Sequence, residues 1–543
     1  MNPSQDAQLI ETAIRTAEQW QNRANEMLTS DEKAIQEQMV RLLTHPMDKV
    51  VLTKMIDQSF RSRDSRRVAD QVNAILKSHG VPDFFSKVEK LLVQMFLGIG
   101  RHVPSLTVPK MIEKMRQDSS RAIIAGEAEA LHAHLRKRRD EQVRMNINHL
   151  GEAVLGEEEA KHRLATYLND MQDPDIEVIS VKISTIYSQI SSLAMEHSVD
   201  VLVDRLTTLY REAKANIFTR ADGTQVPKLV NLDMEEYRDL EITYTAFLRT
   251  LDQPEFRDYK AGIVLQAYLP DAYPIQQQLT EWARKRVADG GSPVMLRIVK
   301  GANMEMELLE SALFNWPLAP YDNKLEVDAN YKRMVHFGMQ PENAKAVNLG
   351  IASHNLFELA YASAVAEVNQ VGPYFHFEML EGMADHVRRA LSEASEEMLL
   401  YAPVAGRDEF INAIAYLVRR LDENTAEENY LRYAPHLKVG SPEWDFLKRQ
   451  FKTSCAYRDK AGDRPNRVQN RMTERFPEKM GTYDEGEFNN EPDTDWALAP
   501  NRQWAQTIRA KWKKSAAQEP IQIPLVVAGK QIVEDRQTGD CVD

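Results

Sequence analysis

The pattern of hydrophobic and polar residues divides the chain into regions with different periodicities. From residue 6 to about residue 139, apolar residues recur at spacings of three and four between long charged stretches, as at Ile35, Met39 and Leu42. Glycines are few in this region. Because one face of a helix returns every 3.6 residues, this spacing predicts a series of amphipathic helices.

Short apolar runs rich in β-branched residues begin near Val143 and alternate with longer amphipathic segments. Eight of these runs are candidate strands: 143–150, 177–184, 229–234, 262–268, 294–300, 346–353, 374–380 and 398–404. Eight strand–helix units in about 290 residues predict an α/β fold of the closed (β/α)8 barrel type, which usually takes about 250 residues before insertions. A doubly wound sheet is the alternative, but no G-x-G-x-x-G motif joins a strand to its helix.

The regular alternation ends after about residue 433. Residues 455–500 are rich in Pro, Gly, Asn and Asp, a composition typical of a linker. One more helical segment and a short strand pattern follow. The sequence therefore predicts an N-terminal all-helical arm and accessory domain (1–140), a barrel (141–435) and an irregular C-terminal linker with the beginning of a further domain (436–543).

Composition and charge narrow the class of protein. The 543 residues include 68 basic and 81 acidic side chains, a net charge of −13, which argues against binding to nucleic acid. The basic run at residues 136–139 is interpreted as a solvated helix face. Two cysteines are too few for a disulfide framework or a cysteine zinc site. Since no signal peptide or long apolar run is visible, we expect a cytoplasmic protein with at most peripheral membrane contact.

Polar side chains gather at one end of the predicted strands. In a (β/α)8 barrel, functional groups collect at the carboxyl ends of the strands, whereas a purely structural barrel would place aliphatic layers there. The polar positions in question are Ser180, Lys182, Asn231, Asp233, Gln266, Tyr268, Arg297, Ser353, His354, Asn355, Glu378 and Tyr401. Each has an ordinary structural explanation alone, but their joint occurrence predicts a binding site at the barrel mouth.

Two local motifs sharpen this prediction. Four residues share one stripe of a predicted helix with apolar neighbours, because they are spaced at i, i+3, i+4 and i+7: Tyr416, Arg419, Arg420 and Glu423. Paired arginines in that setting suit a carboxylate ligand, although a surface ion-pair stripe is the alternative. The segment RIVKGA, residues 297–302, places two cations and a glycine at a strand end, which suits a phosphate-bearing cofactor. No residue spacing indicates a metal site.

These motifs together resemble the proline dehydrogenase barrel of the bifunctional bacterial proline utilization A flavoenzymes. The resemblance rests on VKIS in the second strand, RIVKGA, SHN at the sixth strand, LYAPV in the eighth and AYLVRRLDEN in the following helix. It runs from about residue 47 to the C-terminus, where IPLVVAGKQIV is similar to the beginning of that family's pyrroline-5-carboxylate dehydrogenase domain. Most of that second, aldehyde-dehydrogenase-type domain would be absent, so its NAD-dependent activity is not expected from this chain.

The resemblance implies an FAD-dependent enzyme that oxidises L-proline to Δ1-pyrroline-5-carboxylate and passes electrons to a membrane quinone, with self-association suggested by the helical arm. The residues implied at the proline site are Lys182, Asp233, Leu380, Tyr401, Tyr416, Arg419 and Arg420. Those implied at the FAD site are Gln266, Arg297, Val299, Lys300, Gly301, Ala302, Lys324, Ser353, His354 and Glu423. The resemblance adds no DNA-binding function, because the N-terminal part shows no ribbon-helix-helix motif.

The chain departs from the better-known members of the family at several positions. Asn303 and Met304 stand where those members have aromatic residues, Glu378 replaces a glutamine and Ser353 replaces a threonine. Two other functions stay open on the residues alone. One is a different flavin barrel oxidoreductase, such as a folate-linked reductase, and the other is a non-enzymatic helical interaction protein.

Overall fold

The computed structural model describes residues 3–60, 62, 64–151, 154–394, 397–407, 409–410, 413, 416–418, 420, 425–475, 490–513 and 522–539. Of the predicted site residues, Arg419 and Glu423 lie outside this set. The described chain forms two compact units. The first runs to Val468 and includes residues 490–493, and the second contains residues 469–475, 494–513 and 522–539.

A closed parallel barrel forms the centre of the first unit and confirms the predicted fold class. Its strands are β2 (Arg144–His149), β3 (Val178–Lys182), β6 (Leu229–Asp233), β7 (Gly262–Gln266), β8 (Val294–Val299), β9 (Val347–Ala352), β10 (Phe375–Leu380) and β11 (Met398–Ala405). Each strand pairs with the next, and β11 closes the ring by pairing with β2, with Tyr401 opposite Asn146. The short strand β1 (Ile124–Ala125) extends the sheet beside β11, and β4 (Ile217–Thr219) pairs with β5 (Gln225–Pro227) in a separate hairpin.

Helices precede, surround and follow the barrel. Before it come α1 (Pro3–Glu26), α2 (Ser30–Thr44), α3 (Pro46–Lys54), a π-helical turn at Met55–Ser59, α4 (Ser65–His79), α5 (Lys87–Gly98), α6 (Pro104–Ser119) and α7 (Ala128–Asp140). Around it lie α8 (Glu157–Gln172), α9 (Ile183–Ile186), α10 (Met195–Ala215), α11 (Leu240–Leu251), α12 (Ala272–Ala288), α13 (Met304–Phe314), α14 (Lys324–Gly338), α15 (Pro341–Ala344), α16 (Leu356–Asn369) and α17 (Asp385–Ala394). Residues 410, 413, 416–418, 420 and 425 are helical, and α18 (Tyr430–Tyr433) and α19 (Pro442–Tyr457) follow.

The second unit contains α20 (Ala499–Trp512) and a hairpin of β12 (Leu525–Val527) and β13 (Lys530–Ile532). Within the described ranges, we find no helix whose length and hydropathy would allow it to span a bilayer.

The barrel interior changes from apolar to polar towards the carboxyl ends of the strands. Near the amino ends, Val178, Leu229, Met295 and Leu399 form a buried apolar cluster. Above it, Gly350 of β9 leaves room for a polar neighbour, because a Cβ there would lie 2.1 Å from Oε1 of Glu378. The sequence pattern of inward polar residues therefore corresponds to a polar layer directly beneath the barrel mouth.

Replacing Gly350 with alanine is expected to lower the free energy of unfolding by about 1–3 kcal/mol, because overpacking a filled interior forces side chains out of place. Urea unfolding followed by circular dichroism would measure the change. Gly98→Ala at the end of α5 is the matched control, since nothing lies within 4 Å of a Cβ there. A Gly350→Ala variant as stable as the control would show that Glu378 can move aside freely.

The N-terminal helices pack on the helices that surround the barrel. Helix α1 contacts α16 and α17, and the Trp20 ring meets the Phe377 ring edge-on at a centroid distance of 6.0 Å. Residues from the π-helical turn, α4 and α6 form an apolar cluster against which Val418 packs. The front helices therefore support the segment that carries Arg420.

The basic run before the barrel is only partly solvated. Arg136 is exposed as predicted, but the interpretation is wrong for Arg138, which is buried and ion-paired with Glu381, Glu141 and Asp385. The reason is that α7 turns this side chain towards Glu381 in the β10–α17 connection and Asp385 at the start of α17, and these two carboxylates compensate its charge together with Glu141 at the end of α7. The pattern also did not predict α19, which lies within the region expected to be a linker.

Candidate active site

The carboxylate of Asp233, at the end of β6, is held by three side chains at the barrel mouth. Its Oδ1 accepts a hydrogen bond from Oγ of Ser180 at 3.1 Å, and its Oδ2 accepts one from the Tyr401 hydroxyl at 2.8 Å. Nη1 of Arg297 lies 3.4 Å from Oδ1. Burial raises the pKa of Asp233, and Arg297 and Tyr401 oppose that rise. Three strands thus converge on one carboxylate.

Arg297 of β8 lies between two carboxylates and an aromatic ring. Its Nε is 2.9 Å from Oε2 of Glu378, and its guanidinium carbon is 4.3 Å from the centroid of the Tyr401 ring. Nε2 of His376 lies 3.1 Å from Oε1 of Glu378. Burial alone would raise the pKa of Glu378, but Arg297 and His376 hold that pKa below its usual value. The guanidinium is therefore fixed in position and its charge is compensated.

Lys182 at the end of β3 is paired with a residue that the sequence analysis did not identify. Its Nζ lies 3.0 Å from Oε1 of Glu235, which also accepts a hydrogen bond from Ser184. The side-chain amide of Gln266 donates to the Glu235 carbonyl oxygen at 3.1 Å. Glu235 follows Asp233 by two residues. Extending the two-residue periodicity of the strand beyond its end would have identified it.

A second charged cluster lies beyond β8, where Lys300 meets helices α14 and α16. Nζ of Lys300 is 2.5 Å from Oδ1 of Asp328 and 3.1 Å from Oε1 of Glu358. Lys324 also binds Asp328, and Nζ of the fully buried Lys332 is 2.8 Å from Glu358. Burial and the nearby Lys300 lower the pKa of Lys324 to about 8, although Asp328 opposes this. Three lysines thus share two carboxylates, which leaves one positive charge when all five are ionised.

Sequence reasoning found two members of this lysine cluster and missed three. Lys300 and Lys324 were predicted, whereas Asp328, Lys332 and Glu358 were not. The spacing of four between Lys324, Asp328 and Lys332 along α14 places them on one helix face. Once Lys324 was predicted, this spacing was a signal that could have identified Asp328 and Lys332. Nothing in the local pattern of α16 marks Glu358, because its neighbours are apolar.

His354 follows β9 and faces the end of β10. Its Nε2 accepts a hydrogen bond from the backbone N–H of Leu380 at 3.1 Å. Burial, with a further contribution from Arg420, lowers the pKa of His354 to about 4, so the imidazole is neutral at pH 7. Oγ of the adjacent Ser353 accepts from the Asn355 N–H at 3.0 Å. The described part of the arginine helix places Arg420 over the Tyr416 ring, 5.1 Å from its centroid.

Two features of the mouth suit a large polar ligand. Gly301 has a φ of +128°, and a Cβ there would lie 2.4 Å from the Tyr268 ring, so only glycine lets the backbone pass at this point. Nδ1 of His354 is buried and has no hydrogen-bond partner among the described residues. A ligand with hydrogen-bond acceptors could satisfy the Nδ1–H, and the excess positive charge at Lys300 and Lys324 would favour a phosphate.

Comparison with known proteins relates this geometry to one family. The family model for proline dehydrogenase matches residues 131–433. The chain is similar to the solved structure of proline utilization A from Corynebacterium freiburgense, with 35% identity and a TM-score of 0.61 over 73% of this chain and 36% of that one. It is also similar to proline utilization A from Bdellovibrio bacteriovorus inactivated by N-propargylglycine, with 26% identity and a TM-score of 0.73 over 98% of this chain and 51% of that one.

A variant of proline utilization A from Bradyrhizobium japonicum shares the fold, with 20% identity and a TM-score of 0.59 over 95% of this chain and 52% of that one. No curated protein sequence matches significantly. The chain spans about half or less of the length of these structural relatives.

Proposed function

The chain belongs to the proline dehydrogenase family, and from this membership we propose that it oxidises L-proline to Δ1-pyrroline-5-carboxylate with FAD as the acceptor. The observation that carries the proposal is the convergence of Lys182, Asp233, Arg297 and Tyr401 at the mouth of the barrel that the family model covers. In the reaction, the C5–H bond of proline breaks, a C5–N double bond forms and the amine loses a proton. FAD, when bound, supplies the acceptor for the hydride.

We propose that FAD is held by Gln266, Arg297, Val299, Lys300, Gly301, Ala302, Lys324, Ser353 and His354, together with Glu423. The close backbone approach at Gly301 and the excess positive charge of the lysine cluster support this assignment for the phosphate-bearing part of the cofactor. The unpaired Nδ1 of His354 supports it for a neighbouring polar group. Glu423 is assigned on the resemblance alone.

We propose that the proline carboxylate is bound by Arg420 and Lys182, with Arg419 assigned on the resemblance. Asp233 would compensate the positive charge of these residues. The proline ring would pack against Leu380, Tyr401 and Tyr416. The buried Tyr401 supports this role, because its ring packs on Arg297 while its hydroxyl fixes Asp233. Holding a zwitterion by its carboxylate sets C5 towards the acceptor, so most of the catalysis would come from positioning.

The remaining assignments follow from the resemblance. We propose a quinone as the final electron acceptor, a cytoplasmic location with peripheral membrane contact, and self-association through the helical arm. The division into an arm (1–140), a barrel (141–435) and a linker leading into an aldehyde-dehydrogenase-type domain (436–543) is likewise a proposal.

The visible absorption spectrum of the purified chain tests the proposed function. We expect a flavin spectrum, after reconstitution with FAD if necessary, that L-proline bleaches under anaerobic conditions. A flavin spectrum that proline leaves unchanged but a folate substrate alters would favour the folate-linked reductase instead. A chain that takes up no FAD would contradict both enzymes and favour the helical interaction protein.

Replacing Tyr401 with phenylalanine is expected to shift the pH dependence of proline oxidation. The Tyr401 hydroxyl donates to Asp233 and stabilises its ionised form, so its loss should raise the pKa of Asp233 further. Because we propose that ionised Asp233 balances the binding cations, kcat/KM should begin to fall at a higher pH as the solution is acidified. Rates measured from pH 5 to 9 would show the shift, and an unchanged acid limb would contradict the role given to Asp233. Tyr374→Phe, which lies outside the mouth, is the control.

A further inference from the structure

Glu378 is a buried carboxylate for which the barrel interior makes specific room. The residue lies on β10 and is 1% exposed. Its carboxylate occupies the space beside Gly350 on the neighbouring strand, where any larger residue would collide with it. A buried carboxylate is strongly disfavoured unless partners compensate its charge.

The partners of Glu378 converge from two strands. Arg297 of β8 places Nε 2.9 Å from Oε2, and His376 of β10 places Nε2 3.1 Å from Oε1. Arg144 of β2 acts on the carboxylate at longer range. Arg297 is bound on its other side by Asp233 of β6, which also accepts from Tyr401 of β11. One guanidinium therefore lies between two buried carboxylates.

At this position glutamate differs from glutamine chiefly by its negative charge. A glutamine would have nearly the same shape, would fit beside Gly350 and could keep a polar oxygen close to Arg297. It would leave the guanidinium with only Asp233 as a compensating charge. Burial raises the pKa of Asp233, whereas Arg297 and His376 hold the pKa of Glu378 below its usual value. Glu378 is therefore the more readily ionised of the two carboxylates. The charge that Arg297 presents to the mouth thus depends on Glu378.

We propose that Glu378 is a positioning residue that holds Arg297 and compensates its charge, and that it thereby lowers the reduction potential of the FAD that Arg297 helps to bind. This inference rests on the proposed function. Reduction adds negative charge to a flavin, and an uncompensated cation nearby would stabilise the reduced form. Compensation of that cation removes part of this stabilisation, so the potential falls.

The test is the midpoint potential of the FAD-loaded chain, measured by anaerobic spectroelectrochemical titration. We expect Glu378→Gln to raise the midpoint potential relative to the unsubstituted chain. The matched control is Glu381→Gln, which removes an equally buried carboxylate that pairs with Arg138 and has no contact with Arg297. The control should leave the potential unchanged.

A second variant separates charge from shape. Glu378→Asp keeps the charge but withdraws it by one methylene group, so a smaller rise is expected, and this variant serves if Glu378→Gln does not fold. An FAD-loaded chain whose potential is the same in all four proteins would overturn this inference and leave the proposed function intact. A chain that binds no FAD would overturn the proposed function and this inference with it.

Discussion

Replacing Glu358 with glutamine is expected to lower the free energy of unfolding by about 3–5 kcal/mol, because it leaves buried charge without compensation. Glu358 is 2% exposed and binds both Lys300 and Lys332, and Lys332 has no exposed surface at all. Without the carboxylate, the ammonium group of Lys332 keeps a long contact with the Asp328 carbonyl oxygen at 3.4 Å and a cation–π contact with Phe451, 5.1 Å from the ring centroid. Urea unfolding at pH 7 would measure the loss.

The control for this prediction is a double variant. Replacing Lys332 with methionine in the Glu358→Gln background removes the stranded charge and should recover most of the lost stability. The exposed pair of Lys161 and Glu158 is the comparison, because removing its carboxylate should leave the urea midpoint nearly unchanged. A Glu358→Gln variant that unfolds at the same urea concentration as the unsubstituted chain would show that the cluster is hydrated.

Replacing Arg420 with methionine is expected to reduce kcat/KM for proline roughly 30- to 4000-fold, mainly through a higher KM. This corresponds to a loss of about 2–5 kcal/mol of transition-state stabilisation. Methionine keeps much of the length and apolar surface of the side chain but removes the guanidinium that lies over the Tyr416 ring. The charge that we propose for binding the proline carboxylate is lost. Initial rates of proline oxidation measured over a range of proline concentrations would separate KM from kcat.

Arg407→Met is the matched control for Arg420→Met. Arg407 follows β11, its side chain is 70% exposed and it pairs with Glu113 of α6. Its loss should leave KM unchanged. If Arg420→Met also leaves KM unchanged, the carboxylate is bound elsewhere, and Lys182 becomes the first alternative.

The barrel could be predicted from the sequence because its strands carry their own signal. Each strand is a short apolar run with polar residues at the carboxyl end, as in Val178–Lys182 and Leu229–Asp233. Strands buried on both faces depend little on distant partners for this pattern. The same local signal placed Asp233, Arg297 and Tyr401 at one mouth, and the structure brings these three side chains into contact.

The compensating charges could not be predicted in the same way. Glu358 lies among the apolar residues of α16, and its partners Lys300 and Lys332 are 58 and 26 residues away. Glu381 likewise meets Arg138 across 243 residues. A buried ion pair is specified by the packing of whole elements, whereas the sequence pattern reports only the local environment of each residue.

Helix α1 also has a consequence for the order in which the protein is made. Its apolar face, with Leu9, Ala13 and Trp20, is buried against α16 and α17, which begin more than 300 residues later. At a synthesis rate of about 5–20 residues per second, α16 emerges roughly 15–65 seconds after α1. During translation α1 therefore remains without these native neighbours until the barrel strands before α16 have left the ribosome.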